Sequence, residues 1–140
     1  MHRARRTATF GVLTATALAL SPAIGLTKDG PESPCHQYYP NIPGKTLLEN
    51  DKVVVQRFIF PPGQWEGVHS HPGDQLFIHI KGGQWTVRTG DTYDTGFWKT
   101  GSVGWYGAVD EKADHESKNS GSAPIELIWV TLKTGCQDRK

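Results

Sequence analysis

The segment Gly63-Gln-Trp-Glu-Gly-Val-His-Ser-His71 contains two histidines that are separated by a single residue. In an extended strand alternate side chains point to the same face, so His69 and His71 would present both imidazoles to one point in space. A helix would need a separation of three or four residues to do the same. Neutral imidazole nitrogens are common ligands of metal ions. The segment therefore predicts a strand that supplies two ligands to a metal centre.

The rest of the chain consists of short apolar segments divided by glycine, proline and Asn-Ser-Gly turns. The segments that predict strands are residues 53–60, 67–71, 75–80, 84–88, 102–106, 116–118 and 125–132. No window after residue 25 has the apolar spacing of an amphipathic helix. Many short strands with such turns are typical of an antiparallel sandwich or barrel. We therefore expect an all-β domain.

Alternation also assigns the faces of the segment 75–80. It places Gln75, Phe77 and His79 inside and Leu76, Ile78 and Ile80 outside. Because both faces are largely apolar, we expect the outer face to be covered as well. The covering element would be either a second copy of the chain, giving a homodimer, or the N-terminal arm.

The first 25 residues have the pattern of a secretory signal peptide. A basic cluster at residues 1–6 is followed by an apolar run from Phe10 to Leu20 and by small residues at 21–25. The run is too short to favour a retained membrane anchor. We expect a signal peptide at residues 1–25, an N-terminal arm at 26–46 and the folded domain at 47–134. The protein would then be secreted or periplasmic, and the arm, rich in proline and polar residues from Thr27 to Pro40, would run over the surface.

Charge and cysteine content narrow the class of protein. The formal net charge is +1, and removal of Arg3, Arg5 and Arg6 with the leader lowers it to about −2. No stripe of lysine and arginine is present, so we expect neither a nucleic-acid partner nor, after leader removal, a membrane partner. Cys35 and Cys136 bracket the domain, which in an exported chain predicts one disulfide. Closing a loop of that size contributes roughly 4–5 kcal/mol on the chain-entropy model.

The spacing around the two histidines resembles the first motif of the cupin family. Gly63, His69-Ser-His71 and Gly82 match that motif in type and position, and Gln75 stands where the family usually has glutamate. Residues 101–119 resemble the second motif of the same family. They begin Gly-Ser-Val-Gly-Trp-Tyr and end His115-Glu-Ser-Lys-Asn. Its middle departs from the family pattern, since the usual Pro-x-Gly is missing and residues 109–114 add length. The resemblance covers roughly residues 50–132.

What the resemblance implies is a double-stranded β-helix, or jelly-roll barrel, with a divalent transition metal inside. Carried over by position, the ligands would be His69, His71 and His115, with Gln75 in place of the family's carboxylate. An amide is a weaker donor than a carboxylate and leaves a divalent ion with more net charge. Gln75 also has no titratable oxygen with which to act as a base, and it could instead hold a metal-bound water. The identity of the metal, Fe, Mn, Ni, Cu or Zn, stays open.

Other residues near the motifs have weaker signals. His79 shares the inner face with Gln75 and is our candidate for proton transfer, although a structural histidine is nearly as good an interpretation. Trp65 and Trp105 lie within the two motifs and are candidate walls of an apolar pocket. Alternation places the carboxylates of Glu66 and Glu116 away from the histidines, as surface charges.

Two functions from different classes follow. The first is an exported, metal-dependent cupin enzyme that acts on a small organic molecule by oxygenation, isomerisation, cyclisation or elimination. The second is a cupin that binds a metal or a small ligand without chemistry, which the glutamine at position 75 favours somewhat. A structural or partner-binding β-domain with degenerate metal residues is a lesser third.

Overall fold

A computed structural model describes residues 33–136, and these residues form eight β-strands and one short 3-10 helix. The strands are β1 (Gly44–Glu49), β2 (Val53–Phe60), β3 (Gln75–Lys81), β4 (Gly83–Thr89), β5 (Thr92–Trp98), β6 (Val103–Tyr106), β7 (His115–Asn119) and β8 (Ile125–Leu132), and the 3-10 helix is Glu111–Ala113. The signal peptide expected at residues 1–25 lies outside the described residues. Within the described range, no helix is long and apolar enough to cross a membrane.

The strands form two antiparallel sheets. One has the order β1-β2-β8-β3-β6 and the other the order β5-β4-β7. Buried residues of β2 and β8, among them Phe60 and Ile125, form one hydrophobic core with Trp85 of the smaller sheet. This two-sheet, nearly all-β arrangement is the predicted jelly roll.

The sequence predicted most of the strands and missed two. The bounds of β2 and β8 are as expected, whereas β1 and β5 were not anticipated. Every residue of β5 is exposed, so it lacks the alternation of a half-buried strand. The expected strand at 67–71 is not a regular strand either, since it has only single antiparallel bridges at His69 and His71.

The N-terminal arm does not lie on the surface as expected. From residue 33 onwards, where the description begins, Cys35, Gln37, Tyr39 and Ile42 are buried. Two observations explain this burial. The predicted disulfide Cys35–Cys136 is present and ties the arm to the end of the chain. The backbone of Gln37 also forms a reciprocal pair of hydrogen bonds with the side chain of Gln56.

The faces of β3 are as alternation predicts. Gln75, Phe77 and His79 are buried, while Leu76 and Ile78 are half-buried and Ile80 is exposed. On the outer face Leu76 lies opposite Trp105 of β6 and Val130 of β8. A second copy of the chain against this face stays a prediction.

Candidate metal centre

Three histidines converge inside the barrel. The backbone of His69 donates to the carbonyl of His115, and the backbone of His71 pairs with Val109 in both directions. Both His69 and His71 are therefore bridged to the segment 109–115, which ends at the first residue of β7. Their rings lie on the same side of their own segment and meet the ring of His115. One nitrogen from each ring lies within 4.8 Å of the others, and all three residues are buried. The alternation predicted for the His-Ser-His segment therefore holds.

The extra residues before His115 form a compact turn rather than a loose loop. The side chain of Asp110 accepts a hydrogen bond from the backbone of Lys112, which caps the 3-10 helix. Asp114 then adopts the left-handed conformation with φ 47°, which a short polar side chain tolerates better than most. This residue ends the turn and begins β7 at His115, so the insertion delivers the third histidine.

The outer nitrogen of each ring is held by a fixed partner. His69 Nδ1 donates to the carbonyl oxygen of Gly67 at 3.0 Å, and His71 Nδ1 lies 2.6 Å from the amide oxygen of Gln75. His115 Nδ1 lies 3.5 Å from the hydroxyl of Thr89. A carbonyl oxygen can only accept, so the Nδ1 atoms of His69 and His71 carry protons and their Nε2 atoms present lone pairs. This is the orientation that partners of metal-binding histidines commonly impose.

A chain of amides fixes the orientation of Gln75. The Gln37 amide nitrogen donates to the backbone carbonyls of Tyr38 and Ser70, which leaves its oxygen as an acceptor. That oxygen accepts from the amide nitrogen of Gln75, which also donates to Thr131. The Gln75 oxygen must therefore face the N–H of His71. In the structure the Gln75 oxygen thus contacts His71 Nδ1, and direct ligation of a metal by Gln75 stays a prediction.

This network gives a physical reason for the glutamine. A carboxylate at position 75 would place an oxygen against the oxygen of Gln37, which is 3.1 Å from the present amide nitrogen. Gln37 could not turn over to accommodate it, because its own nitrogen is bound to two backbone carbonyls. An amide, which donates on one side and accepts on the other, satisfies both neighbours.

The environment keeps these imidazoles neutral. Burial lowers the pKa of His69 to about 3 and that of His71 to about 4, and the neighbouring imidazoles add to both shifts. Burial also lowers the pKa of His115, assisted by the guanidinium of Arg88. Neutral imidazole is the form that binds a metal ion.

The donor set fits a divalent transition metal. The Nε2 atoms of His69 and His71 are 3.3 Å apart, and two nitrogens bound to one ion at about 2.1 Å lie roughly 3.0–3.4 Å apart. Two lone pairs at this separation repel unless a cation lies between them. The three histidines can therefore hold a metal ion, and nothing in the donor set selects one among Fe, Mn, Ni, Cu and Zn.

The prediction for Glu66 was wrong. It was expected to be a surface charge, yet its side chain is buried, its Oε1 accepts from the Ser117 hydroxyl and lies 3.5 Å from His69 Nδ1. The reason is Gly67, whose φ of 87° breaks the alternation between Glu66 and His69. Burial raises the pKa of Glu66 to about 8, although the bonds from Ser117 oppose the shift.

Three other carboxylates near the histidines, those of Asp74, Asp114 and Glu116, lie outside the cavity. Glu116 and Asp114 both bind the guanidinium of Arg88 at 2.8 Å. Asp74 is exposed. Glu66 is accordingly the one carboxyl group that lines the cavity in the described part of the chain.

The cavity beside the histidines is walled by aromatic rings. Its cavity volume is about 40 Å³, and its aromatic lining is Tyr39, Phe77, Trp85, Trp98, Tyr106 and Trp129. The predicted walls Trp65 and Trp105 are not part of it. Trp105 shares the outer face with Leu76 and is half exposed, while Trp65 packs near Tyr93 with Lys118 over its ring. Both tryptophans alternate with residues that point inward.

His79 lies in the same cavity, away from the three histidines. Its ring is stacked on Trp98 with centroids 5.3 Å apart, and its Nδ1 lies 3.2 Å from the hydroxyl of Ser102. It lies four positions after Gln75, which corresponds to about 13 Å along β3. Burial lowers its pKa. His79 therefore lines the cavity without joining the three converging histidines, and its role in proton transfer stays a prediction.

Four residues of the site gave little or no sequence signal. Tyr39 packs edge-on against His69 at 4.6 Å and accepts a hydrogen bond from Trp129, although its segment read as a surface arm. Gln37 and Thr131 orient Gln75 through long-range contacts that no local pattern reveals. Glu66 could have been anticipated only from Gly67, since glycine often marks a break in a strand pattern.

Comparison with solved structures identifies the fold, although the sequence alone has no match. No protein-family model and no curated protein matches the sequence. Among solved structures, a cupin domain from Bordetella pertussis Tohama I superposes with a TM-score of 0.60 at 19% identity, covering 70% of this chain and 99% of that one. A conserved protein with a double-stranded β-helix domain from Klebsiella pneumoniae gives 0.54 at 23% identity, with 70% and 82% covered.

A third structure extends the match. A cupin family protein with a double-stranded β-helix fold from Methanocaldococcus jannaschii has a TM-score of 0.54 at 15% identity, covering 80% of this chain and 93% of that one. At these identities the likeness concerns the fold. The chain has the cupin fold, as the two motifs predicted.

Proposed function

We propose that this cupin-fold protein is a metal-dependent enzyme that acts on a small organic molecule. The observation that supports it best is the convergence of His69, His71 and His115, with two of their Nε2 atoms 3.3 Å apart and unprotonated. Such a site is costly to keep without a cation, because buried lone pairs that face one another are unsatisfied. The adjoining aromatic cavity suits a small substrate rather than a polymer.

The residues of the chain would divide the work as follows. His69, His71 and His115 would hold the ion, and their Nδ1 partners would keep each ring in position. When bound, the metal would polarise an oxygen of the substrate as a Lewis acid, and a redox-active ion could also engage dioxygen. The aromatic walls would orient the substrate and exclude water.

Gln75 and His79 would support the reaction from two sides. We assign Gln75 to orienting His71 through its Nδ1 proton, in place of the direct ligation that its motif position implied. His79 would transfer a proton at the far part of the cavity, through the Nε2 atom opposite the nitrogen that Ser102 contacts. Oxygenation, isomerisation or cyclisation, and elimination are all compatible with these parts.

The alternative is a cupin that binds a metal or small ligand and performs no chemistry. The specific observation in its favour is that the motif position 75 holds a neutral amide whose hydrogen bonds are all used internally. In this version the metal-loaded protein would bind small molecules and return them unchanged.

We further propose that the protein works outside the cytoplasm, secreted or in the periplasm. The disulfide Cys35–Cys136 and the leader-like residues 1–25 support this location. The partners would be a small-molecule substrate and, on the apolar outer face of β3, a second copy of the chain. No nucleic acid or membrane partner is expected.

Elemental analysis after purification from an oxidising compartment tests the proposal. We expect about one transition metal ion per chain, lost in the variant His115→Ala and retained in His79→Ala. If the protein takes up no transition metal, even after incubation with Fe, Mn, Ni, Cu and Zn salts, the proposal of a metal-dependent enzyme is contradicted. Full loading without turnover across a panel of enols, diketones and phenols would favour the binding protein.

A further inference from the structure

One buried polar atom near the three histidines has no role in the function proposed above. Glu66 Oε2 is buried and has no hydrogen-bond partner among residues 33–136. Its sister oxygen, Oε1, accepts from Ser117 and contacts His69. An unsatisfied buried polar atom costs about 1–3 kcal/mol, so its retention beside a cavity points to a ligand that completes it.

Glu66 is not a further metal ligand in this arrangement. Its carboxyl approaches His69 from Nδ1, the nitrogen on the opposite side of the ring from the one that faces His71. Carboxylate oxygens do not belong to the converging donor group, which consists of the three histidines. The carboxyl therefore lies to the side of the expected ion and among the residues that line the cavity.

We infer that Glu66 binds the ligand of this cavity, and that the ligand is a small planar molecule carrying a hydroxyl group. A hydroxyl donates to a carboxylate and accepts from a carboxylic acid, so it satisfies Oε2 in either state. We infer the planar body from the walls, because the aromatic residues Phe77, Trp98 and Trp129 line this cavity and Phe77 packs edge-to-face on both tryptophans.

The burial of Glu66 also limits the size of the ligand. The side chain is 1% exposed, so only a molecule that enters the cavity itself can reach it. The inference deepens the proposed function, on which it rests for the location of the metal, but the contact with Glu66 needs no metal ion.

Phenol and toluene form a matched pair of probes, because they differ in a hydroxyl against a methyl group. Affinities are measured by two-dimensional NMR titration of the full, disulfide-bonded, metal-free protein. In the variant Glu66→Leu we expect phenol to bind about tenfold more weakly while toluene binds as well as before. In Glu66→Gln, which keeps a polar group for the hydroxyl, the phenol affinity should stay within about threefold of the wild type.

The control is Glu116→Gln, which changes the neighbouring carboxylate that binds Arg88 and lies outside the cavity. It should alter neither affinity. Equal losses for phenol and toluene in Glu66→Leu, or an unchanged phenol affinity, would overturn the inference. If Glu66→Leu does not fold, the comparison of Glu66→Gln with Glu66→Met decides in the same way.

Zinc binding is titrated separately on the same preparations. Zinc uptake together with a phenol affinity that ignores Glu66 would overturn this inference and leave the proposed function standing. A Glu66-dependent phenol affinity in a protein that binds no transition metal would support the inference and contradict the metal-dependent enzyme.

Discussion

The two ends of the cavity hold histidines in similar ways but differ in number and polarity. At the metal end three imidazoles meet, each with an oxygen partner on Nδ1, and a buried carboxyl lies beside them. At the other end His79 stands alone, with its own oxygen partner in Ser102 and a stacked tryptophan. An oriented, buried histidine is therefore not by itself a candidate metal site, because within the described residues His79 has no second imidazole beside it, whereas His69, His71 and His115 converge.

The largest expected effect separates the two ends by metal affinity. The variant His115→Ala should lower zinc affinity by more than about 100-fold, because it removes a ligand rather than an outer-shell partner. The variant His79→Ala should leave the affinity unchanged. Calorimetric titration of the metal-free proteins measures both, and similar losses in the two variants would break the distinction between the ends.

A smaller effect is expected from removal of an outer partner at the metal end. Gln75→Leu takes away the acceptor of the His71 Nδ1 proton, so the ring can adopt the wrong orientation or tautomer. Zinc affinity should fall about 10–100-fold, as measured by competition with a chelator. An affinity loss as large as that of His115→Ala would indicate instead that Gln75 is itself a ligand.

The same position tests why the chain has glutamine there. Gln75→Glu would set a carboxyl oxygen against the Gln37 oxygen and lose the donation to Thr131. We expect the free energy of unfolding of the metal-free protein to fall by about 1–3 kcal/mol, measured by urea denaturation. Gln64→Glu, at an exposed position, is the control and should change little. An unchanged stability in Gln75→Glu would contradict the amide network.

The metal end should also dominate the acid sensitivity of the metal-free protein. His69 and His71 have folded pKa values of about 3 and 4, against about 6.5 when unfolded. Below pH 6.5 the unfolded chain therefore binds more protons, and the free energy of unfolding decreases as the pH falls towards 3. Stability measured by denaturant titration at several pH values should show this loss.

Glu66 works in the opposite direction over part of that range. Its pKa of about 8 when folded, against about 4.3 unfolded, means that the folded state holds an extra proton between these values. Its contribution to stability is therefore lost as the pH rises towards 8. The variant Glu66→Gln should accordingly show a steeper acid loss below pH 6.5 and a smaller alkaline loss. A flat stability profile in both proteins would contradict the burial of neutral imidazoles.

The smallest effect is expected at the other end of the cavity. Ser102→Ala removes the hydroxyl next to His79 Nδ1, which should cost about 0.5–1.5 kcal/mol in the free energy of unfolding and nothing in zinc affinity. This substitution parallels Gln75→Leu, since each deletes one partner of one imidazole. A loss of zinc affinity in Ser102→Ala would mean that the two ends are coupled.

The sequence predicts those strands and side-chain positions that are determined by contacts between residues close together in the chain. The alternation in β2, β3 and β8 and the pairing of His69 with His71 are local, so their periodicity predicted them. The disulfide followed from the position of two cysteines. The edge strand β5 is exposed throughout and gave no periodic signal.

The site was less predictable where long-range contacts or backbone breaks decide. The left-handed Gly67 turns Glu66 inward, against the alternation that predicted a surface charge. Gln37 is 38 residues from Gln75 in sequence, so the hydrogen-bond network around Gln75 was visible only in three dimensions. Burial of Tyr39 likewise depends on the packing of the arm against the barrel, which its proline-rich composition concealed.

Anomalous diffraction from crystals of the protein grown with zinc would locate the ion most directly. We expect one strong peak about 2.0–2.1 Å from a nitrogen of each of His69, His71 and His115, with the Gln75 oxygen still on His71 Nδ1. A peak bound elsewhere, or a cavity without any peak in zinc-saturated crystals, would contradict the three-histidine metal centre.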